Sequence, residues 1–403
     1  MAANTSRGIT FPTSGDSITP LETVFATMAN TTNTALGAIN AGTDITAGTL
    51  PIARGGTGGT TQATAQAALG VVPLSSHFVA GKNAIINGAF DVWQRTTTSN
   101  STTAPGYWAD RWRYTATGGS AKVLSQSREN FTPGTAPVAG YESRSFLRVA
   151  VSTGGSGFTY EAVEQPIEDV RTCAGSTVTI SFWAKTTSST LNFTPRLTQF
   201  FGTGGSADTV VTGSSISVTT SWTRFTQTLT VPSVTGKTIV DTNSALIFAI
   251  VPNTFNSIYT LDLWGVQVEQ GSIATPFATA SETIGGELAL CQRYYYRATN
   301  ALAATGVIGA GVAISTTTGW INVKFPMTMR SAPAAIEISA AATTFTAVST
   351  TTTAASSVTL GESTADGSRI VIAVASGLTS GGGCMARFAG TAGTGFLGFS
   401  AEL

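Results

Sequence analysis

Residues 177–185, TVTISFWAK, alternate between apolar and polar side chains, and this period of two most limits what the chain can fold into. A strand sends successive side chains to opposite faces, so Val178, Ile180, Phe182 and Ala184 share one face. Leu147, Val149 and Val151 repeat the pattern. Residues 245–251, ALIFAIV, are apolar on both faces, which predicts a strand in the middle of a sheet. Residues 259–268 close the series, and Gly, Ser and Asn turns separate the strands at short intervals. Across residues 81–280 that rhythm predicts a jelly-roll β-sandwich.

The abundance of Ser, Thr and Gly raises disorder as an alternative. Hydrophobic residues reach 42% and arrive in alternation, so the chain can bury a core. Charged residues are only 10%, against about 25% in an average soluble protein. The 21 basic residues equal the 21 acidic ones. Zero net charge argues against a nucleic-acid partner and against electrostatic attachment to an anionic membrane. No run of 18 apolar residues spans a bilayer. Cys173, Cys291 and Cys384 are odd in number and far apart, which is no disulfide framework and suits buried thiols made in a reducing cytosol. No basic-then-apolar signal segment opens the chain. A weakly charged, Thr-rich surface suits neutral polar ligands such as glycans. It is equally the ordinary surface of an extracellular β-protein.

Before the strands come a helix and a glycine turn. Thr19 caps, Pro20 takes the first helical position and Glu22 closes the capping box, with the helix running to about residue 40. Leu21, Phe25, Met28, Thr32, Ala35 and Ile39 follow a 4-3-4-3-4 spacing, a heptad seam. Three uncharged heptads are marginal alone, so the pattern predicts self-association of identical chains. Gly55-Gly56-Thr57-Gly58-Gly59 then forces a turn before a short Ala-rich helix. No Lys-Ser or Lys-Thr follows these glycines, so they form no P-loop, and the G-x-G-x-x-G spacing is absent.

On these residues the chain resembles bacteriophage tail fibre proteins. Leu50-Pro51-Ile52-Ala53-Arg54-Gly55-Gly56-Thr57-Gly58, with the Ala/Thr helix ending at Leu69-Gly70, looks like the LPxARGGTG segment of many such fibres. Residues 18–35, ITPLETVFATMANTTNTA, look like a tail fibre N-terminal region. The ordered motifs Asn87-Gly88-Ala89-Phe90-Asp91, Tyr107-Trp108-Ala109-Asp110-Arg111-Trp112, Ser181-Phe182-Trp183-Ala184-Lys185 and residues 263–269 resemble a jelly-roll domain. That domain occurs in phage fibres and in carbohydrate-binding modules. Val323-Lys324-Phe325-Pro326, Met329-Arg330 and residues 398–403 look like a C-terminal fibre module.

The resemblance implies a mainly β fold with a trimeric N-terminal coiled coil. It implies a homotrimer attached to the tail or baseplate through its N-terminus, touching a host surface glycan through its β domains. The location implied is the virion tail, after synthesis in the host cytoplasm and release by lysis. In related carbohydrate-binding modules an acidic residue after Asn-Gly-x-Phe and an Asp in the last strand hold a structural calcium. Asp91 and Asp262 occupy those positions, and no other cofactor is expected.

The expected organisation is an attachment and shaft region at 1–80 with a coiled coil over 20–40, then the jelly roll at 81–280. A connector at 281–298 and a second β-sandwich at 299–403 follow. Loops 306–318 and 377–383 are the expected host contact, and the Thr/Ser/Ala run 349–357 an exposed edge or loop. Catalysis is not expected. The single histidine, His77, sits beside Ser75 and Ser76 in a linker and is read as solvated. Glu161, Glu164, Glu168 and Asp169 cluster as glycoside hydrolysis would need, but read as a solvated strand edge and its turn. Trp108, Trp112 and Trp183 are expected in the core or a trimer interface rather than under a sugar, although Trp183 falls on the polar-looking face. The rivals are a polysaccharide-degrading tailspike, an adaptor fibre without receptor contact and a cellular lectin. The first would carry a long repetitive β-helix, and the last a secretion signal.

Overall fold

The alternation in residues 177–185 becomes a strand whose apolar face closes a sandwich. A computed structural model describes residues 3–4, 10–11, 21–37, 65 and 81–403, the last span without 102–105, 139–141, 301–304 and 340–341. Two units divide the chain, Met1–His77 and Phe78–Leu403. In the first, β1 (Ala3–Asn4) pairs with β2 (Thr10–Phe11), and α1 spans Leu21–Gly37. The hydroxyls of Thr27, Thr31 and Thr32 donate to carbonyls four residues back, so these poor helix formers satisfy their own polar groups. Five of the six seam positions fall on α1. Ile39, the Thr19-Pro20 cap, the glycine turn and His77 lie outside the described residues.

In the second unit, β3 (Thr98–Ser101), β4 (Gly106–Tyr107), β5 (Arg113–Ser120), β6 (Val123–Asn130), β7 (Ser145–Thr153) and β8 (Ser156–Glu168) come first. β9 (Thr177–Thr186), β10 (Leu191–Phe200), β11 (Thr209–Thr212) and β12 (Ile216–Val218) follow. β13 (Thr223–Thr230), β14 (Ala245–Pro252) and β15 (Tyr259–Gln270) complete the sandwich. One antiparallel sheet runs β13-β9-β15-β7-β6-β3. The other runs β11-β10-β14-β8-β5-β4, with β12 also on β10. The chain passes between sheets from β8 to β9 to β10 and again from β13 to β14 to β15, the wiring of a jelly roll. Val178, Ile180, Phe182 and Ala184 share a core with Leu263 and Val268 of the neighbouring β15, Leu147 and Val149 of β7 beyond it, and Leu246, Phe248 and Ile250 of the facing sheet. β14, the doubly apolar segment, lies between β10 and β8, as its composition demands.

Trp183 lies on its polar-looking face and is buried there. It is 8% exposed, because Phe131, Phe146, Trp264 and Phe277 close over that end of the outer surface as a second aromatic cluster. Phe131 and Phe277 lie outside the strands, a placement that a strand pattern does not reveal. β15 makes room with a bulge between Trp264 and Gln267. Gly265 within it has φ +65°, and a Cβ there would stand 2.7 Å from the Trp183 ring.

Beyond the sandwich, the expected connector is folded. α2 (Ile284–Gln292) is capped by the Thr283 hydroxyl, which accepts from the Gly286 N–H, and β16 (Tyr295–Thr299) follows. β17 (Val307–Ala313), β18 (Thr318–Lys324), β19 (Ile336–Ile338), β20 (Phe345–Val348), β21 (Thr352–Ser363), β22 (Gly367–Val374), β23 (Gly383–Phe388) and β24 (Phe396–Ser400) complete the chain. The expected second sandwich is instead a closed barrel, β17-β18-β22-β21-β20-β23, beside a three-stranded sheet, β16-β24-β19. Local alternation is the same in both architectures; the pairing of β23 with both β17 and β20 is what closes the ring. Part of the 349–357 run therefore forms β21, which has partners on both sides and buries Ala355. Gly265→Ala adds a left-handed strain and a ring clash, so urea unfolding of the full chain should show a loss of about 2–4 kcal/mol.

Candidate functional site

The outward residues of the second sheet build a polar and aromatic strip. Antiparallel register sets Arg113 of β5 beside Glu164 of β8, Glu164 beside Ala249 of β14, and Ala249 beside Arg196 of β10. The Glu164 carboxylate accepts from Arg113 Nε at 2.8 Å, from the Thr115 hydroxyl at 2.7 Å and from the Tyr160 hydroxyl at 3.2 Å. The Arg196 guanidinium lies 4.3 Å from the centre of the Tyr160 ring. Burial, then the Glu164 charge, pushes the Tyr160 phenol above its ordinary range, so it stays a donor. The strip ends in a cleft of about 270 Å³ floored by Pro166, Phe200, Ala245 and Ile247 and rimmed by Arg113 and Leu403. Fixed donors and acceptors beside an apolar floor are what a sugar needs, since its ring faces are apolar and its rim is hydroxylated.

The four clustered acids do not converge. Glu161 and Glu164 stand three residues apart on β8 and therefore face opposite sides of the sheet. Glu161 is buried inside the sandwich, not at a solvated edge. Its carboxylate lies 2.8 Å from the equally buried Lys122 ammonium and 3.3 Å from the Tyr114 hydroxyl, which contacts Tyr259 at 3.1 Å. Glu164 is also buried, by the partners already named. Glu168 accepts two bonds from Arg293 and one from Tyr294, and Asp169 pairs with Arg171 on the surface. Trp108 and Trp112 belong to the core.

Asp91 and Asp262 do not fit a calcium ion. Asp262 is fully buried and its two oxygens accept from Arg148 at 2.7 and 2.8 Å, with Lys185 at 3.7 Å from one of them. Its charge is already matched by two cations. Asp91 has a buried oxygen, Oδ1, with no hydrogen-bond partner among the described residues. Burial pushes the Asp91 carboxyl up to about 6; Arg144 and Arg128 pull it down and Glu287 adds to the rise. Among the described residues no group of three or more His, Cys, Asp or Glu side chains gathers as a metal site.

The other motif residues form a joint. Asn87 donates to the carbonyls of Val92 and Asp110 and accepts from the Val92 N–H, while its own N–H donates to Glu287 of α2. Arg111, 1% exposed, lies 3.5 Å over the Tyr294 ring and donates to the Pro166 carbonyl and to Glu402. Arg95 lies 3.5 Å over Tyr295 and 3.3 Å from Glu402. Arg113 and the Tyr107 hydroxyl donate to the Leu403 carbonyl, and Arg330 donates to those of Ala401 and Glu402. The sandwich and the barrel thus share one set of buried charges. Sequence reading missed Arg95, Lys122, Tyr160, Arg196 and Glu402. The available signal was scarcity: in a chain so poor in charge, a charge in a strand is there to meet a partner.

No protein-family model and no curated protein sequence matches the chain. Solved structures do. A CBM4 structure aligns at 16% identity and TM-score 0.28, covering 46% of this chain and 98% of its own. The CBM22-1 xylan-binding domain of Paenibacillus barcinonensis Xyn10C aligns at 14% and 0.29, covering 49% and 100%. The enzymatically active domain of bacteriophage CBA120 tailspike protein 4 aligns at 18% and 0.27, covering 47% of this chain and 22% of its own. Likenesses this weak do not extend to a shared function.

Removing Glu402 strands Arg111 in the interior, so Glu402→Ala should cost about 3–5 kcal/mol in urea unfolding. Asp91 and Asp110 are both raised from 3.8 to about 6, chiefly by burial. Each binds its proton more tightly folded than unfolded, so stability should rise as pH falls from about 6 towards 3.8. Asp91→Asn should raise stability at pH 7, change it little at pH 4 and flatten the profile between, read by melts across that range.

Proposed function

We propose that this chain is a non-enzymatic fibre protein of a bacteriophage tail. It is a parallel homotrimer that docks to the tail or baseplate through its N-terminal region and meets a host surface glycan with its β modules. It belongs to the virion, is made in the host cytoplasm and is released by lysis. The observation that carries the glycan reading is the outward strip of Tyr160, Glu164, Arg113 and Arg196 ending in an apolar-floored cleft. The fibre reading rests on the resemblance of residues 50–58 and on the heptad seam. Phe25, at a core position of that seam, is 60% exposed on α1 and supplies the apolar surface that identical chains would bury. The non-enzymatic reading is supported by Glu161 and Glu164, which face opposite sides of a sheet, and by the cation that holds each acid of β8. Hydrolysis of a glycosidic bond needs two carboxyl groups flanking it from one site.

Light scattering should give three times the 41.2 kDa chain mass. Phe25→Glu, which puts a charge in the seam, should lower that mass with the β unit still folded. Incubation with host surface polysaccharide should retain the protein on the polymer and release no sugar. A monomeric parent protein or the release of reducing ends would overturn the respective part.

A further inference from the structure

The barrel wall holds a second polar groove. It measures about 430 Å³ and opens between the end of β18 and the β21–β22 turn, lined by Asn322, Lys324, Glu362, Thr364, Asp366 and Arg369 among others. Beside it stands Trp320, which points outward from β18 and is 37% exposed. Register places Trp320 between Val312 of β17 and Val371 of β22, so an apolar row crosses the outer wall. The Arg369 guanidinium lies 3.9 Å over the Trp320 ring, and one of its nitrogens is 3.1 Å from Glu362. Gly361 lets this arginine lie flat, since a Cβ there would come within 3.1 Å of Arg369 Nε. That Nε is buried and has no hydrogen-bond partner among the described residues. Asp366 is held in turn by the Thr328 hydroxyl at 2.6 Å.

A large indole left partly in water, fixed in place by a stacked guanidinium, is a preorganised platform. The C–H face of a pyranose would pack on such a surface, with the sugar hydroxyls turned to the groove. Asn322, Lys324 and Arg369 donate there, and Glu362 and Asp366 accept. The two cations and two anions of the lining cancel, so a neutral sugar meets matched groups and the groove has no net charge to attract an acidic one. The loops expected to touch the host gather elsewhere. The Leu378 N–H donates to Thr316 and that of Gly381 to Ala313. β18 pairs its Thr318 with Ala373 at that end and its Lys324 with Gly367 at the groove end.

We propose that this groove, with Trp320 as its platform, binds a neutral oligosaccharide independently of the strip on the sandwich. The proposal rests on the glycan-binding reading above and adds a site to it. The full chain is applied to a printed array of neutral and acidic oligosaccharides, and the best binder is titrated by calorimetry. Neutral compounds should be retained. Trp320→Ala and Arg369→Ala should each weaken the chosen compound at least tenfold, with urea midpoint and light-scattering mass unchanged. Full affinity in both variants, with loss in Arg196→Ala, would overturn the groove and leave glycan binding to the sandwich. Retention of acidic compounds alone would also overturn it, as would a changed mass in Trp320→Ala, which would make the wall a contact between copies. A parent protein that retains nothing would sink the general reading together with the groove.

Discussion

The Arg111–Glu402 pair is the constraint on which the second unit depends. A guanidinium taken out of water needs its charge met, and Arg111, which also donates to the Pro166 carbonyl within the sandwich, meets the Glu402 carboxylate only when the C-terminal segment lies against it. Tyr294 supplies the ring beneath it, so the turn between α2 and β16 must be in place as well. Arg95 and Arg330 add bonds to the same segment. The sandwich cannot be separated from the barrel without stranding these charges.

The same economy runs through the molecule. With so few charges, most of those on the strands meet a charge of opposite sign: Glu161 meets Lys122, Asp262 meets Arg148 and Lys185, and Glu164 meets Arg113. A carboxylate whose oxygens already accept from a cation has little left to offer a metal or a substrate, and the acids of β8 and Asp262 are held in this way. What remains for a partner is the hydroxyl, amide and aromatic surface between the pairs, a chemistry that favours neutral polyols over ions. Both candidate sites share this plan of an arginine stacked on an aromatic ring beside a paired carboxylate.

Much of the fold was legible because strands advertise themselves locally. Val178, Ile180, Phe182 and Ala184 went to the core, and ALIFAIV to a central strand, since burial on one face or two leaves its own periodicity. Trp183 was expected to be buried, but that periodicity said nothing about what covers its face. Glu161 was misplaced for a related reason. Its strand extends past the apolar core into a polar pocket that Lys122 and Tyr114 bring from β5 and the turn after it. Of the candidate sites, neither the Tyr160 strip nor the Trp320 groove was visible, because each joins residues from three or more strands in register.

By itself the sequence determined the β character of the chain, the strands and their inward faces, and the heptad seam of α1. These follow from side-chain spacing along one strand or one helix, which needs no knowledge of neighbours. Only the tertiary structure decided that residues 299–403 close a barrel, that the connector is a joint, and that Glu402 neutralises an arginine 291 residues away. Those outcomes depend on strand pairing and on the burial of charge. Both are properties of distant segments brought together, and no local pattern encodes them.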